Sequence, residues 1–100
     1  MKIYCFDLDN TLCTHENDYN LAKPYLERIK KVNELYDAGN TILIDTARGS
    51  TTGIDWKEIT EQQLNSWGVK YHSLRVGVKL NADVFIDDKS INDVLFFQSE

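Results

Sequence analysis

The sequence predicts an α/β domain with a short parallel sheet, on three observations. Short apolar runs end abruptly on polar residues: Ile3–Phe6 before Asp7, Thr41–Asp45 before Thr46, and Asp83–Ile86 before the pair Asp87-Asp88. Continuous rather than alternating apolar runs are the mark of strands buried in parallel sheets. Between them lie segments with apolar residues at helical spacing, and strands that alternate with helices imply right-handed crossovers.

Met1–Phe6 reads as the first strand. Residues 10–23 are polar and aperiodic, and read as loop. Pro24 suits the first turn of a helix, on which Tyr25, Ile29, Val32 and Tyr36 share one face and which Gly39 ends. Thr41–Asp45 is the second strand, and the stretch Arg48–Gly53, rich in Gly, Ser and Thr, is a loop. A second helix follows, with Asp55 as cap, Glu58 answering three residues on and Ile54 stapled against Ile59. Its apolar residues are Trp56, Leu64 and Trp67, and Gly68 stops it. Val69–Leu74 is a weaker third strand and Asp83–Ile86 a fourth. Ser90–Phe97 is a short last helix, with Asp93 as an acid in its first turn.

With 100 residues, the chain is expected to form a single domain spanning 1–100. The net charge of -5 argues against broad nucleic-acid binding. Apolar stretches are short and broken by charge, so neither a signal peptide nor a membrane span is expected. Cys5 reads as a small buried core residue and Cys13 as a reduced thiol beside a loop, since neither has disulfide or metal-ligand spacing. The cytoplasm is the expected location.

The polar residues cluster where the strands end, which is where open parallel sheets bind ligands. Asp7 and Asp9 stand two residues apart as the first strand ends, a spacing that puts both side chains on one side. Two neighbouring carboxylates call for a counter-charge. Mg²⁺ is a fitting one, because it takes one or two carboxylates together with a substrate phosphate. Asp87 is placed to add a further carboxylate, and Lys79 and the Thr46 hydroxyl to face phosphate oxygens.

Four motifs in order resemble the haloacid dehalogenase-like superfamily of phosphatases. They are Asp7-Leu8-Asp9-Asn10-Thr11 after an apolar strand, Ile42-Leu43-Ile44-Asp45-Thr46 followed by Ala47-Arg48-Gly49, the lysine Lys79, and Val84-Phe85-Ile86-Asp87-Asp88. The Thr46-Ala47-Arg48 and Asp83–Lys89 stretches look most like the small capsule-biosynthesis phosphatases of that superfamily. The resemblance implies a three-layer Rossmann-like fold and a Mg²⁺-dependent phosphomonoesterase. In it Asp7 is the nucleophile that forms an aspartyl-phosphate, and Asp9 is the general acid and base. It places Thr46, Lys79 and Arg48 at the phosphate, and Asp7, Asp9, Asp87 and Asp88 at the metal. Dehalogenases of the superfamily lack a carboxylate at the Asp9 position, so phosphate-ester chemistry is favoured. Only a small flap fits in residues 12–23, and residues 48–77 are used up by one helix and one strand. A capless, open site is therefore expected, suited to a small phosphorylated metabolite such as a sugar phosphate and open to cover by a second copy of the chain.

Blander readings compete with this one. A calcium loop needs glycine where Leu12 stands, and it follows a helix rather than a strand. Asp87-Asp88 alone is equally a strand-to-helix turn, and Arg48 equally a brace for its loop. His15 and His72 lack partners at ligand spacing and read as solvated. Two other functions compete: a phosphatase of nucleic-acid 3′ ends, and a regulatory module that binds phosphate or metal with little turnover.

Overall fold

A computed structural model of the chain describes residues 1–98. Three parallel strands, β1 (Ile3–Phe6), β2 (Thr41–Thr46) and β3 (Ser73–Val76), lie side by side in the order β1-β2-β3. Ile3 pairs with Thr41 and Phe6 with Ile44, then Leu43 with Ser73 and Thr46 with Val76. Helix α1 (Leu26–Asp37) connects β1 to β2, α2 (Lys57–Ser66) connects β2 to β3, and a short α3 (Asp93–Gln98) follows.

Apolar spacing explains α1. Ile29 and Val32 are buried on its inner face, with Leu35 and Tyr36 packed against the core at its edge. Gly39, at a φ of 95°, takes the left-handed turn that ends it. Helix α2 starts where Asp55 Oδ1 accepts from the Lys57 N–H (3.0 Å). Ile54, the expected staple, is 55% exposed. Thr60 and Leu64, four residues apart, form its buried face.

Both crossovers step the same way across the sheet. Right-handed connections that do so place their helices on the same face. Tyr4, Phe6, Ile42 and Ile44 face α1 and α2, and the rings of Phe96 and Phe97 on α3 meet Tyr4 and Phe6 at centroid distances of 5.7–6.0 Å. The opposite face carries Ile3, 73% exposed, the exposed Cys5, and a surface ion pair between Arg75 Nη2 and Asp45 Oδ2 (2.8 Å). The described residues thus form two layers rather than the expected three, and Cys5 lies outside the core.

The expected fourth strand is absent among the described residues. Residues 80–92 are exposed throughout, with Val84 at 71% and Ile86 at 91%. The apolar run that reads as a buried strand makes no ladder, and among the described residues the outer edge of β1 is unpaired. The third strand begins later than expected, at Ser73. Just before it, the His72 N–H donates to the Ile42 carbonyl (2.8 Å), and His72 Nδ1 accepts from the Ile42 N–H (3.0 Å). The imidazole also stacks on Tyr36 at 4.5 Å. His72 is exposed, as expected, and is also a bonded end-piece of the sheet.

One-sided coverage makes unequal demands on the two faces of the sheet. Ile42→Ala is expected to cost about 2–5 kcal/mol in chemical denaturation, as for other large-to-small core changes. Ile3→Ala, on the open face, should stay within about 0.5 kcal/mol of wild type. His72→Ala leaves the Ile42 N–H without its acceptor and should cost about 1–3 kcal/mol by the same measurement.

Candidate functional site

The loop after β1 is anchored by its own backbone. The Leu8 carbonyl accepts from the N–H groups of Thr11 (3.1 Å), Leu12 (2.8 Å) and Cys13 (3.3 Å). Asn10 completes the turn with a φ of 64°, a conformation asparagine tolerates better than most residues. Leu8, Leu12 and Cys13 are fully buried. Residues on either side of Leu8 are therefore held up at the strand end while the leucine plugs the core. A short 3₁₀ turn, Tyr19–Leu21, then lies over this loop, and Thr14 N–H donates to the Lys23 carbonyl (2.8 Å) to close the flap.

Asp7 follows directly on β1, with its side chain 42% exposed. Lys79 Nζ lies 3.3 Å from Asp7 Oδ1, and Thr11 Oγ1 donates to Oδ2 at 3.5 Å. Lys79 comes from the loop after β3, so its ion pair with Asp7 spans the end of β2 and links the two outer strands. Its ammonium also sits 5.0 Å from the centre of the Phe85 ring. Thr46 closes β2, is 1% exposed, and its Oγ1 accepts from the Arg48 N–H (3.3 Å). The following loop needs glycine at residue 49. A Cβ there would collide with the Ile54 carbonyl oxygen, and the φ of 82° is unfavourable to other residues.

Asp9 has a different partner. The Arg48 guanidinium, with its side chain wholly buried, binds Asp9 through Nη2 to Oδ1 (2.8 Å) and Nε to Oδ2 (3.0 Å). Its third nitrogen, Nη1, donates to Thr60 Oγ1 (3.1 Å) and Gln63 Oε1 (2.6 Å), while the Tyr19 ring lies 4.7 Å from its carbon. Gln63 Nε2 in turn donates to the Tyr19 carbonyl (2.6 Å). Arg48 was expected at the phosphate. Instead its side chain runs beneath the first loop and its nitrogens are all engaged, so it presents no free donor to a ligand. Cys13 belongs to the same cluster: its thiol donates to Asp9 Oδ1 (3.5 Å), and burial first, then the Asp9 charge, pushes its pKa up to about 12.

The expected metal set does not assemble. Asp87 Oδ1 accepts from the N–H groups of Lys89 (2.6 Å) and Ser90 (3.0 Å), and Oδ2 from the Ser90 hydroxyl (2.8 Å). Asp88 is exposed. Among the described residues, no group of three or more His, Cys, Asp or Glu side chains is placed to hold a metal ion. Asp7 already has a cation, Lys79, and Asp87 has turned its oxygens into its own turn. Asp93, expected as a helix-start acid, is in the first turn of α3 and also pairs with Arg28 (2.6 Å).

Tyr19, Thr60 and Gln63 escaped the sequence reading. Thr60 carried a signal, since it lies four residues before Leu64 and so on the buried face of α2. A polar side chain at such a position has to meet a partner.

No protein-family model matches the chain, and no curated protein matches it. Among solved structures, the chain is similar to a structural-genomics target from Vibrio cholerae, with a TM-score of 0.86 and 28% identity, covering 100% of this chain and 90% of that chain. The likeness bears on the α/β architecture. No helix among the described residues is long and apolar enough to cross a membrane.

The Asp87 turn provides a test of this placement. Its carboxyl pKa is lowered, first by the Lys89 N–H and then by the Ser90 hydroxyl. A lowered folded value means that the turn gains from the charge above the ordinary carboxylate pKa of about 3.9 and loses that gain as pH falls through the lower folded value. The Ser90 amide resonance, followed by NMR, should therefore titrate with a midpoint below about 3.9.

Proposed function

We propose that the chain is a phosphomonoesterase that works through an aspartyl-phosphate, acting on a small phosphorylated metabolite such as a sugar phosphate. The observation that carries this reading is Asp7 itself: a partly open carboxylate at the end of a parallel strand, paired with Lys79 at 3.3 Å. A carboxylate so placed is a nucleophile, and the lysine beside it offsets the charge of an incoming phosphoryl group. Asp7 attacks phosphorus and the bond to the leaving oxygen breaks. Asp9, in its protonated form, gives that oxygen its proton and is left as the carboxylate that Arg48 pairs with, and it later takes a proton back from the water that cleaves the acyl phosphate. Thr46, at the end of the middle strand, orients the phosphoryl oxygens.

The finer fold assignment, haloacid dehalogenase-like, belongs with this reading. It is supported by the order of the four motifs and by the strand-end positions of Asp7 and Thr46. The unpaired run at 83–86 and the bare sheet face stand apart from it. Magnesium dependence rests on the resemblance, and no step above is routed through a metal. Cover of the open site by a second copy belongs to the same reading, supported by the exposed Val84 and Ile86. A phosphate-binding module with little turnover is a second reading, favoured by Asp87 being bound up in its own turn.

The test is a panel of phosphate monoesters, with and without added Mg²⁺, comparing wild type with Asp7→Asn. Turnover in the wild type, reduced by about a thousandfold or more in the variant, supports the reading. Acid quenching should also trap a phosphorylated wild-type chain. Turnover that survives Asp7→Asn overturns the mechanism, and phosphate binding without turnover on any ester favours the module.

A further inference from the structure

We propose that Arg48 is the positioning residue for Asp9, and that it fixes this carboxylate for proton transfer instead of holding the substrate phosphate. This rests on the reading of Asp9 as general acid and base. Four features point to it. The guanidinium is wholly buried, and each of its nitrogens already donates to a partner within the protein. It grips Asp9 with two parallel bonds of 2.8 Å and 3.0 Å, the fork geometry that fixes both position and plane of a carboxylate. Nη1 is itself fixed, by Thr60 and Gln63 on α2. The Tyr19 ring then covers one face of the guanidinium, and Trp56 meets Tyr19 edge-on at 4.9 Å.

A carboxylate accepts at about four lone-pair sites. Arg48 and the Cys13 thiol take the inward ones, and the Asp9 side chain keeps 14% of its surface exposed for the leaving group. As Asp9 gives up its proton, the charge that appears on it is met by a cation already in place, with nothing to reorganise. Lysine does not replace this function, because a point charge on a flexible stem cannot hold Asp9 and α2 at the same time.

A brace for the loop and a positioning residue for Asp9 differ in one measurable respect. Nitrophenolate leaves from phosphorus without a proton, whereas an alkoxide requires one. A loss confined to proton donation therefore falls on alkyl phosphates and spares p-nitrophenyl phosphate. The experiment measures kcat and KM on both for wild type, Asp9→Asn, Arg48→Lys and Gln63→Met. Asp9→Asn should lower kcat on the alkyl ester about 100-fold more than on the aryl ester. Arg48→Lys should shift the same ratio in the same direction by about tenfold, with KM unchanged on both. Gln63→Met, which frees Nη1 and keeps the charge, should shift it less, and it decides the matter by its own ratio if Arg48→Lys does not fold.

An equal loss on both esters makes Arg48 a brace and overturns the proposal. A rise confined to KM makes it a phosphate ligand and also overturns it. Should Asp9→Asn itself show no discrimination between the esters, Asp9 is not the acid, and the assignment of Arg48 fails with it. That failure is distinct from a normal Asp9→Asn result beside an indifferent Arg48→Lys.

Discussion

A guanidinium with no exposed surface governs the centre of this molecule. Removing a charge from water costs several kcal/mol, and only a well-matched partner with further hydrogen bonds offsets it. Arg48 meets that demand with Asp9, Thr60, Gln63 and the Tyr19 ring. Those partners come from the loop after β1, from α2 and from the 3₁₀ turn. Satisfying one side chain thus fixes the relative placement of three otherwise separate segments. Leaving Asp9 out strands a buried charge, and leaving out Thr60 or Gln63 strands a buried N–H.

The two acids of the first motif live in different surroundings because Leu8 separates them. Its side chain goes into the core, and its carbonyl collects three N–H groups. Asp7 is left facing the strand ends and Lys79, while Asp9 faces inward to Arg48. One carboxylate is half-open and the other nearly enclosed. The proposed division of labour between nucleophile and proton carrier rests on that difference in surroundings, as it does wherever two like groups are held apart electrostatically.

Elements with strong local signals were legible in the sequence. Strand β2 and helix α1 follow their apolar patterns closely, and Gly39 ends α1 as its position indicates. The start of β3 was not legible, because His72 supplies a side-chain nitrogen where a pattern of apolar residues gives no hint of one. The run at 83–86 has the composition of a buried strand, yet nothing in composition says whether a sheet edge will receive it. Cys5 misled for a related reason. An apolar run looks the same whether helices cover one face of its strand or both, and coverage here depends on the direction in which successive crossovers step. In the candidate site, Asp7 and Lys79 stand together as the motif order suggested. The bond between Arg48 and Asp9 was hidden, since nothing local in sequence says that an arginine after a strand will run inward.

The parallel order of the strands also shapes how the chain reaches this structure. Ile3 pairs with Thr41 and Leu43 with Ser73, so no strand has its partner close by in the chain. A hairpin closes as soon as its turn is made, whereas each of these pairs waits for a whole helix to be built between its members, and such non-local pairing is slow. During synthesis β1 and its aspartates emerge before the partners they bind in the folded chain. Arg48 follows only after α1 and β2, and Thr60 and Gln63 later still. The nascent chain therefore carries a bare apolar strand and an unpartnered acidic loop until Thr60 and Gln63 have left the ribosome. Over that interval its hydrophobic run is exposed to other chains and to chaperones.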